Sequence, residues 1–262
     1  MTESLVTARQ RTLFGDDPED ETASRDHGPA AGPPVAPHPV DDTVRALAGT
    51  LHPRIRLGTS SWSFPGWTGL VYAPRAGKPE SEQRLARGGL PAYAAHPLLR
   101  AVSIDRTFHA PITAAEFARY AAAVPDGFRF VVKAPAACTD PVIRQPGSGM
   151  AARDNPSFLD AAAAVAAFVQ PAVAGLGKTA GPLVFQFPPL GHAGRGYEQA
   201  RGDYFPFNRL VEEDEPSRLA LARHAAHTAG AGSDVFITIN NKAEGSAPLS
   251  VAKLAAAIAA VS

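Results

Sequence analysis

The stretch Val235-Phe236-Ile237-Thr238-Ile239-Asn240-Asn241-Lys242-Ala243-Glu244-Gly245-Ser246-Ala247-Pro248 runs from five apolar or β-branched residues straight into two side-chain amides. The first five read as a strand. An apolar strand of this kind is one that helices cover, as in a parallel sheet. Each asparagine brings a donor and an acceptor, and leaving them unpaired in a dry place costs about 1–3 kcal/mol apiece. Either the fold satisfies them or a ligand does.

The same pattern recurs upstream. Strands are expected at Arg54–Ser60, Leu99–Phe108, Phe128–Lys133 and Leu183–Phe187. Helices are expected between them. Thr113-Ala-Ala-Glu116 is a capping box opening a helix through Val124. Asn155-Pro156 supplies an N-cap and an N1 proline for a helix to about Ala174. Another runs from about Pro216 to Ala229 and stops at Gly230, and Ala252–Val261 closes the chain. Strands alternating with helices imply βα units around a parallel sheet. The polar residues gather at the C-terminal strand ends: Gly58-Thr59-Ser60-Ser61-Trp62, Asp105-Arg106-Thr107, Lys133, Gln186 and Asn240-Asn241. Ligands of α/β proteins and of (β/α)₈ barrels bind at that end.

At 262 residues and 45% hydrophobic, the chain can bury one large core. It contains no run of 18 apolar residues and no secretory h-region at its start, so a cytoplasmic protein with no membrane span is expected. Cys138 is the sole cysteine, which excludes an internal disulfide and a cysteine-based metal site. Residues 1–50 hold nine acids against four bases and include the proline-rich run Gly28–Pro37, so they read as a disordered acidic tail. A single domain is expected over 51–262. Its surplus of five bases is too mild to argue for nucleic acid.

These strand ends resemble the YecE-like family, domain-of-unknown-function family 72. Its first motif, G-T-S-G-W-x-[YF]-x-x-W, is similar to Gly58-Thr59-Ser60-Ser61-Trp62-Ser63-Phe64-Pro65-Gly66-Trp67. Its V-E-I-N-x-T-F-Y stretch resembles Val102–His109, its K-A-P motif Lys133-Ala134-Pro135, its Q-[LF]-P-P motif Gln186–Pro189, and its closing N-N-x-A-E-G-x-A-P Asn240–Pro248. The resemblance implies a TIM-barrel fold. Ser103 and Asp105 depart from it, standing where the family has glutamate and asparagine. The span between Pro189 and Asp234 is also short, and no strand can be read in it where the family normally has several further βα units. The expected fold is therefore an α/β, TIM-barrel-like parallel barrel, incomplete and open, with about five strands. The last strand should lie beside the first, the 190–233 segment should cross the breach, and the open edges should favour self-association.

Asp105 and Lys133 are the candidate acid–base pair, a salt bridge being the plainer alternative for Asp105 and a snorkelling side chain for Lys133. Gln186 and Asn240 can orient a substrate, and Thr238 shares a face with Asn240. Thr59, Ser60 and Thr107 are candidate ligand contacts, though a serine-rich turn explains the first two as well. Trp62 and Trp67 can form a stacking wall or pack in the core. Asn241 is a candidate contact, but is better placed to cap the loop through Glu244 and Gly245. His224 and His227 lack a third ligand for a metal. No cofactor motif such as a Walker loop or G-x-G-x-x-G after a strand is present. The expectation is a cofactor-free enzyme or binder for a small polar or phosphorylated carbohydrate-like ligand. A nucleic-acid-processing barrel and a non-catalytic remnant are the alternatives.

Overall fold

A computed structural model describes residues 33–75, 80–144, 151–186, 202 and 204–261. Among the described residues there are seven strands: β1 Ile55–Thr59, β2 Ala101–Ile104, β3 Arg129–Lys133, β4 Val142–Arg144, β5 Ala151–Asp154, β6 Ala180–Val184 and β7 Val235–Ile239. Five form one parallel sheet in the order β6-β3-β2-β1-β7, curled into a half-barrel, and β4 pairs antiparallel with β5. The last strand lies beside the first along its whole length, Ile55 opposite Val235 and Thr59 opposite Ile239. Among the described residues neither β6 nor β7 has a second neighbour, so the barrel is open as its short sequence implies.

The pleat separates two environments. Register places Ile55, Leu57, Val102, Ile104, Phe130, Val132, Leu183, Ile237 and Ile239 on one face. All of them belong to, or pack against, the apolar cluster formed with the helices. Arg56, Gly58, Ser103, Arg129, Val131, Lys133 and Thr238 lie on the other face, and none of these joins that cluster. The core is therefore outside the curled sheet, and the polar set lines its inside. Gly58 permits the curl: a Cβ there would stand 2.0 Å from the carbonyl oxygen of Ala101 on β2.

The helices follow from local signals. Thr113 and Glu116 form the expected capping box, and the helix runs Ala114–Ala122 with Phe117 buried. Asp214 caps Glu215–Gly230, accepting from the Ser217 amide. The closing helix, Ala247–Val261, begins five residues before the expected start and buries Val251, Leu254 and Ile258.

Three expectations need correction. Residues 33–50 do not belong to a tail: Val35 is buried, Pro37 bridges to Tyr72, and Asp42–Thr50 is helical, its Val44 and Leu47 packing on the core. Residues 1–32 lie outside the described residues. The helix expected from Asn155 begins at Ala161, capped by Asp160. Asn155 instead donates through Nδ2 to the carbonyls of Ala137 and Asp140, tying down the loop after β5. The strand expected at Leu183–Phe187 runs Ala180–Val184, three residues earlier. The β4–β5 hairpin is an addition.

The stretch Ala161–Thr179 has the length and apolar character that crossing a membrane requires, with 22% of it buried. It relaxes to a π-helical turn at Val165–Val169, just before Pro171. It carries the crossover from β5 to β6 and sets Phe168, Ala172 and Leu176 into the core. The described part of the 190–233 segment packs over the loops after β1 and β7. Phe207 meets Phe64 edge-on at 5.6 Å, and the Val211 amide donates to the Glu244 carbonyl.

Candidate functional site

At the C-terminal end of β2 the chain turns at Asp105 into a 3₁₀ turn, Arg106–Phe108. Two residues apart on one face of the strand, Ser103 Oγ donates to Asp105 Oδ1. Lys133 ends β3 beside it, only 4% exposed, with Nζ 4.7 Å from the centre of the Phe108 ring. The turn thus folds an aromatic face over the cation, a favourable cation–π arrangement. Burial pushes the Asp105 carboxyl above its usual range, and Ser103, Lys133, His109 and Lys242 pull it partly back. Burial also draws the Lys133 ammonium below its usual value, against the pull of Asp105. Lys133 from β3, His109 from the turn after β2 and Lys242 from the loop after β7 are thus all near enough for their charges to act on Asp105.

At 4% exposed Lys133 is no snorkelling side chain, and its charge acts on Asp105 as that of a salt-bridge partner would. Lys242 and Phe108 escaped the sequence reading. Lys242 directly follows the asparagine pair, and a cation in a loop at the C-terminal strand ends was the signal available.

The other expected residues divide by what holds them. Asn240 Nδ2 donates to Ser60 Oγ at 3.2 Å, and its Oδ1 accepts from the Lys242 amide at 3.0 Å. Both remain partly accessible beside the cluster, and Thr238 lies below Asn240 on the inner face. Gln186 stands two residues beyond the end of β6, partly accessible, while Phe187–Pro189 lie outside the described residues. Thr59 and Thr107 are committed internally. Thr59 Oγ1 donates to the Ser61 carbonyl and shares a 2.8 Å hydrogen bond with the Tyr93 hydroxyl, and the side chain is fully buried. Thr107 Oγ1 reaches the carbonyls of Ile104 and Lys133, pinning the end of β2 to that of β3. These two threonines shape the site from behind rather than face it.

The tryptophans pack. Trp62 is 7% exposed and meets Tyr120 edge-on at 5.4 Å, and Trp67 is wholly buried against Tyr93. Neither offers a stacking platform. Trp67 explains Asn241: Asn241 Oδ1 accepts from Trp67 Nε1 at 3.3 Å and from the Ala247 amide at 2.9 Å, capping the closing helix. Glu244 accepts from Arg218 at 2.6 Å and from the Asp214 amide at 2.8 Å. Gly245 adopts φ 107° against the Arg209 carbonyl, where a Cβ would stand 2.7 Å away. The closing motif is a knot joining the loop after β1, the segment before Glu215 and the last helix. Of the amide pair, Asn240 alone faces the candidate site.

His224 and His227 sit on the Glu215–Gly230 helix, with His227 lining a surface depression together with His52 and Arg223 at the opposite end of the sheet. Among the described residues, no three His, Cys, Asp or Glu side chains gather closely enough to hold a metal ion.

Two crystal structures of a DUF72 family protein from Enterococcus faecalis V583 are similar to the chain at 14% and 13% identity, with TM-scores of 0.48 and 0.39. They cover 78% and 79% of this chain and 95% and 96% of their own. No curated protein matches. A family model described as "Protein of unknown function DUF72" matches residues 56–201, more than half of the sequence, and the chain belongs to that family.

Proposed function

We propose that the protein binds a small anionic, polar ligand, a phosphorylated or carboxylated carbohydrate-like molecule, at the C-terminal ends of β1, β2, β3 and β7. The observation that carries this reading is the buried Lys133 ending β3 beside the Asp105 end of β2, with His109 and Lys242 near enough for their charges to act on the same carboxylate. Two lysines against one acid leave a positive field, and a partly dry site strengthens each interaction within it. Asn240 and Ser60 stand beside this group as neutral donors and acceptors that can orient hydroxyls. In the enzymatic form of the proposal, Asp105 takes a proton from the ligand and Lys133 donates one, each shifted toward neutrality by burial. Such a ligand belongs among cytoplasmic solutes.

Thermal-shift screening of sugar phosphates and sugar acids tests this. Wild type should gain several degrees with at least one compound, and Lys133→Met should lose that gain while keeping the ligand-free Tm within about 2 °C. Asp105→Asn should bind the anion at least as tightly as wild type and lose any turnover. A Lys133→Met variant that still responds to the same compound overturns the reading.

A further inference from the structure

We infer that Lys133 is a covalent nucleophile, its amine condensing with the carbonyl carbon of a small phosphorylated ketose or aldose to a Schiff base that Asp105 helps to form. This rests on the ligand reading above and gives Lys133 a bond to form in place of a proton to donate. Register brings the two residues level. Ile104 on β2 stands opposite Val132 on β3, so the next residue of each, Asp105 and Lys133, meet at the strand ends, their backbones about 4.8 Å apart. Both ends are fixed. Thr107 Oγ1 reaches the Lys133 carbonyl at 2.5 Å, and the Ala134 amide donates to the Val184 carbonyl of β6 at 2.8 Å. Asp105 Oδ1 accepts from Ser103 Oγ, so Oδ2 is the atom that exchanges a proton.

Burial decides between a charge and a nucleophile. A lysine that serves only as a positive charge needs its ammonium, which 4% exposure disfavours. One that attacks a carbonyl needs the free amine, which the same burial favours. Burial draws the Lys133 ammonium below its usual value and the Asp105 carboxyl above its own. A proton passing from Nζ to the carboxylate therefore yields two neutral partners with no change in net charge. The Phe108 ring, centred 4.7 Å from Nζ, and the Asp105 carboxylate favour any cation at that point, the iminium of a Schiff base included.

In the reaction the Nζ lone pair attacks the carbonyl carbon, the N–C bond forms, and the carbonyl π pair moves onto oxygen. One proton passes from nitrogen to that oxygen, giving a carbinolamine. The protonated Asp105 then gives its proton to the hydroxyl, the C–O bond breaks, water leaves, and the nitrogen lone pair closes the C=N bond. The products are a protonated imine, the Asp105 carboxylate and one water, with nothing oxidised or reduced. The phosphate end of the sugar belongs with Lys242 and His109, whose charges act on Asp105 from the loop after β7 and the turn after β2.

Borohydride, which reduces an imine to a stable secondary amine, tests the step. The full chain is incubated with dihydroxyacetone phosphate or fructose 6-phosphate, reduced, digested and mapped by mass spectrometry. With at least one of the two sugars, the adduct on Lys133 should exceed that on the exposed Lys178 by about tenfold or more. Asp105→Asn should slow its appearance by about tenfold or more. Lys133→Arg keeps the charge without the nucleophile, so it should lose this adduct yet keep its Tm response to glycerol 3-phosphate, the same kind of anion without a carbonyl. An adduct no greater on Lys133 than on Lys178 with both sugars, or one formed as fast in Asp105→Asn, overturns the inference. A Tm rise with glycerol 3-phosphate in wild type and Lys133→Arg, with no adduct on wild type, removes the covalent step and leaves the anion site standing.

Discussion

Phe130 and Val131 are neighbours in the chain and stand on opposite faces of the same strand. Phe130 is fully buried, its ring edge-on to Phe128 at 5.3 Å and 6.2 Å from the Tyr120 ring. Val131 is 7% exposed but lies among Ser103, Arg129 and Lys133 on the inner face and joins no apolar cluster. The difference teaches how this small barrel divides its tasks. The outer face supplies stability through apolar burial, which tolerates no charge, while the inner face holds charges close together. The pleat keeps the two apart with a single residue of separation.

The sharpest way to break this comparison is to truncate both residues. Phe130→Ala should cost about 3–5 kcal/mol, leaving an aromatic-sized cavity in the outer core. Val131→Ala should cost about 1–1.5 kcal/mol, close to the transfer term alone. Urea unfolding of the pair measures the ratio, and equal losses would mean that the inner face is packed as tightly as the outer.

Asn241→Ala comes next, at about 2–4 kcal/mol. It removes the cap of the closing helix and strands the buried Trp67 N–H together. Asn240→Ala should cost well under 1 kcal/mol by the same measurement, because its partners stay partly accessible. A larger loss for Asn240 would reverse the roles assigned to the two amides.

Lys133→Met sharpens the account of the inner face through pH. The ammonium's pKa is lowered by burial, so the folded chain disfavours its charge. That penalty is fully present below the folded pKa and fades as pH rises toward the unfolded value of 10.5. Wild type should therefore gain stability relative to Lys133→Met between neutral pH and about pH 10.5, with a difference of about 1 kcal/mol or less at pH 7. Thermal melts at stepped pH read the slope, and a flat difference would mean the lysine is well solvated.

The smallest effect belongs to the edge. Val184 is 39% exposed at the end of β6, followed by Phe185 at 42%. Val184→Lys should shift stability by less than about 0.5 kcal/mol yet lower the self-association that an unpaired strand edge invites. Sedimentation velocity of the two chains decides it, and identical profiles would remove the edge from any such role.

Much of this was legible because the signals are local. Apolar runs ending in polar residues announced the parallel sheet and the end of it that carries the Asp105 group, and the Thr113–Glu116 box fixed a helix start. What escaped depended on tertiary context. Gly181-Pro182 reads as a loop, yet proline is tolerated on an edge strand and at a bulge, and β6 is both: its pairing with β3 slips between Phe130 and Val132. Asn155 carries a helix-capping residue type, but two carbonyls from the segment before β4 claim its amide. Thr59 and Thr107 sit in site-like motifs, and only the positions of Tyr93 and the β3 carbonyls show that their hydroxyls are used internally.

The strand order β6-β3-β2-β1-β7 also bears on how the molecule comes into being. β1, β2 and β3 follow one another within residues 55–133 and can pair as soon as they leave the ribosome, through contacts short in sequence. The outer edge of β1 waits for β7, whose Val235 lies 180 positions beyond Ile55. At roughly 5–20 residues per second, that leaves on the order of ten seconds or more in which the nascent sheet shows a bare edge at β1. Closure against β7 is then a late event, so changes in Ile237 or Ile239 should accelerate unfolding while barely slowing folding.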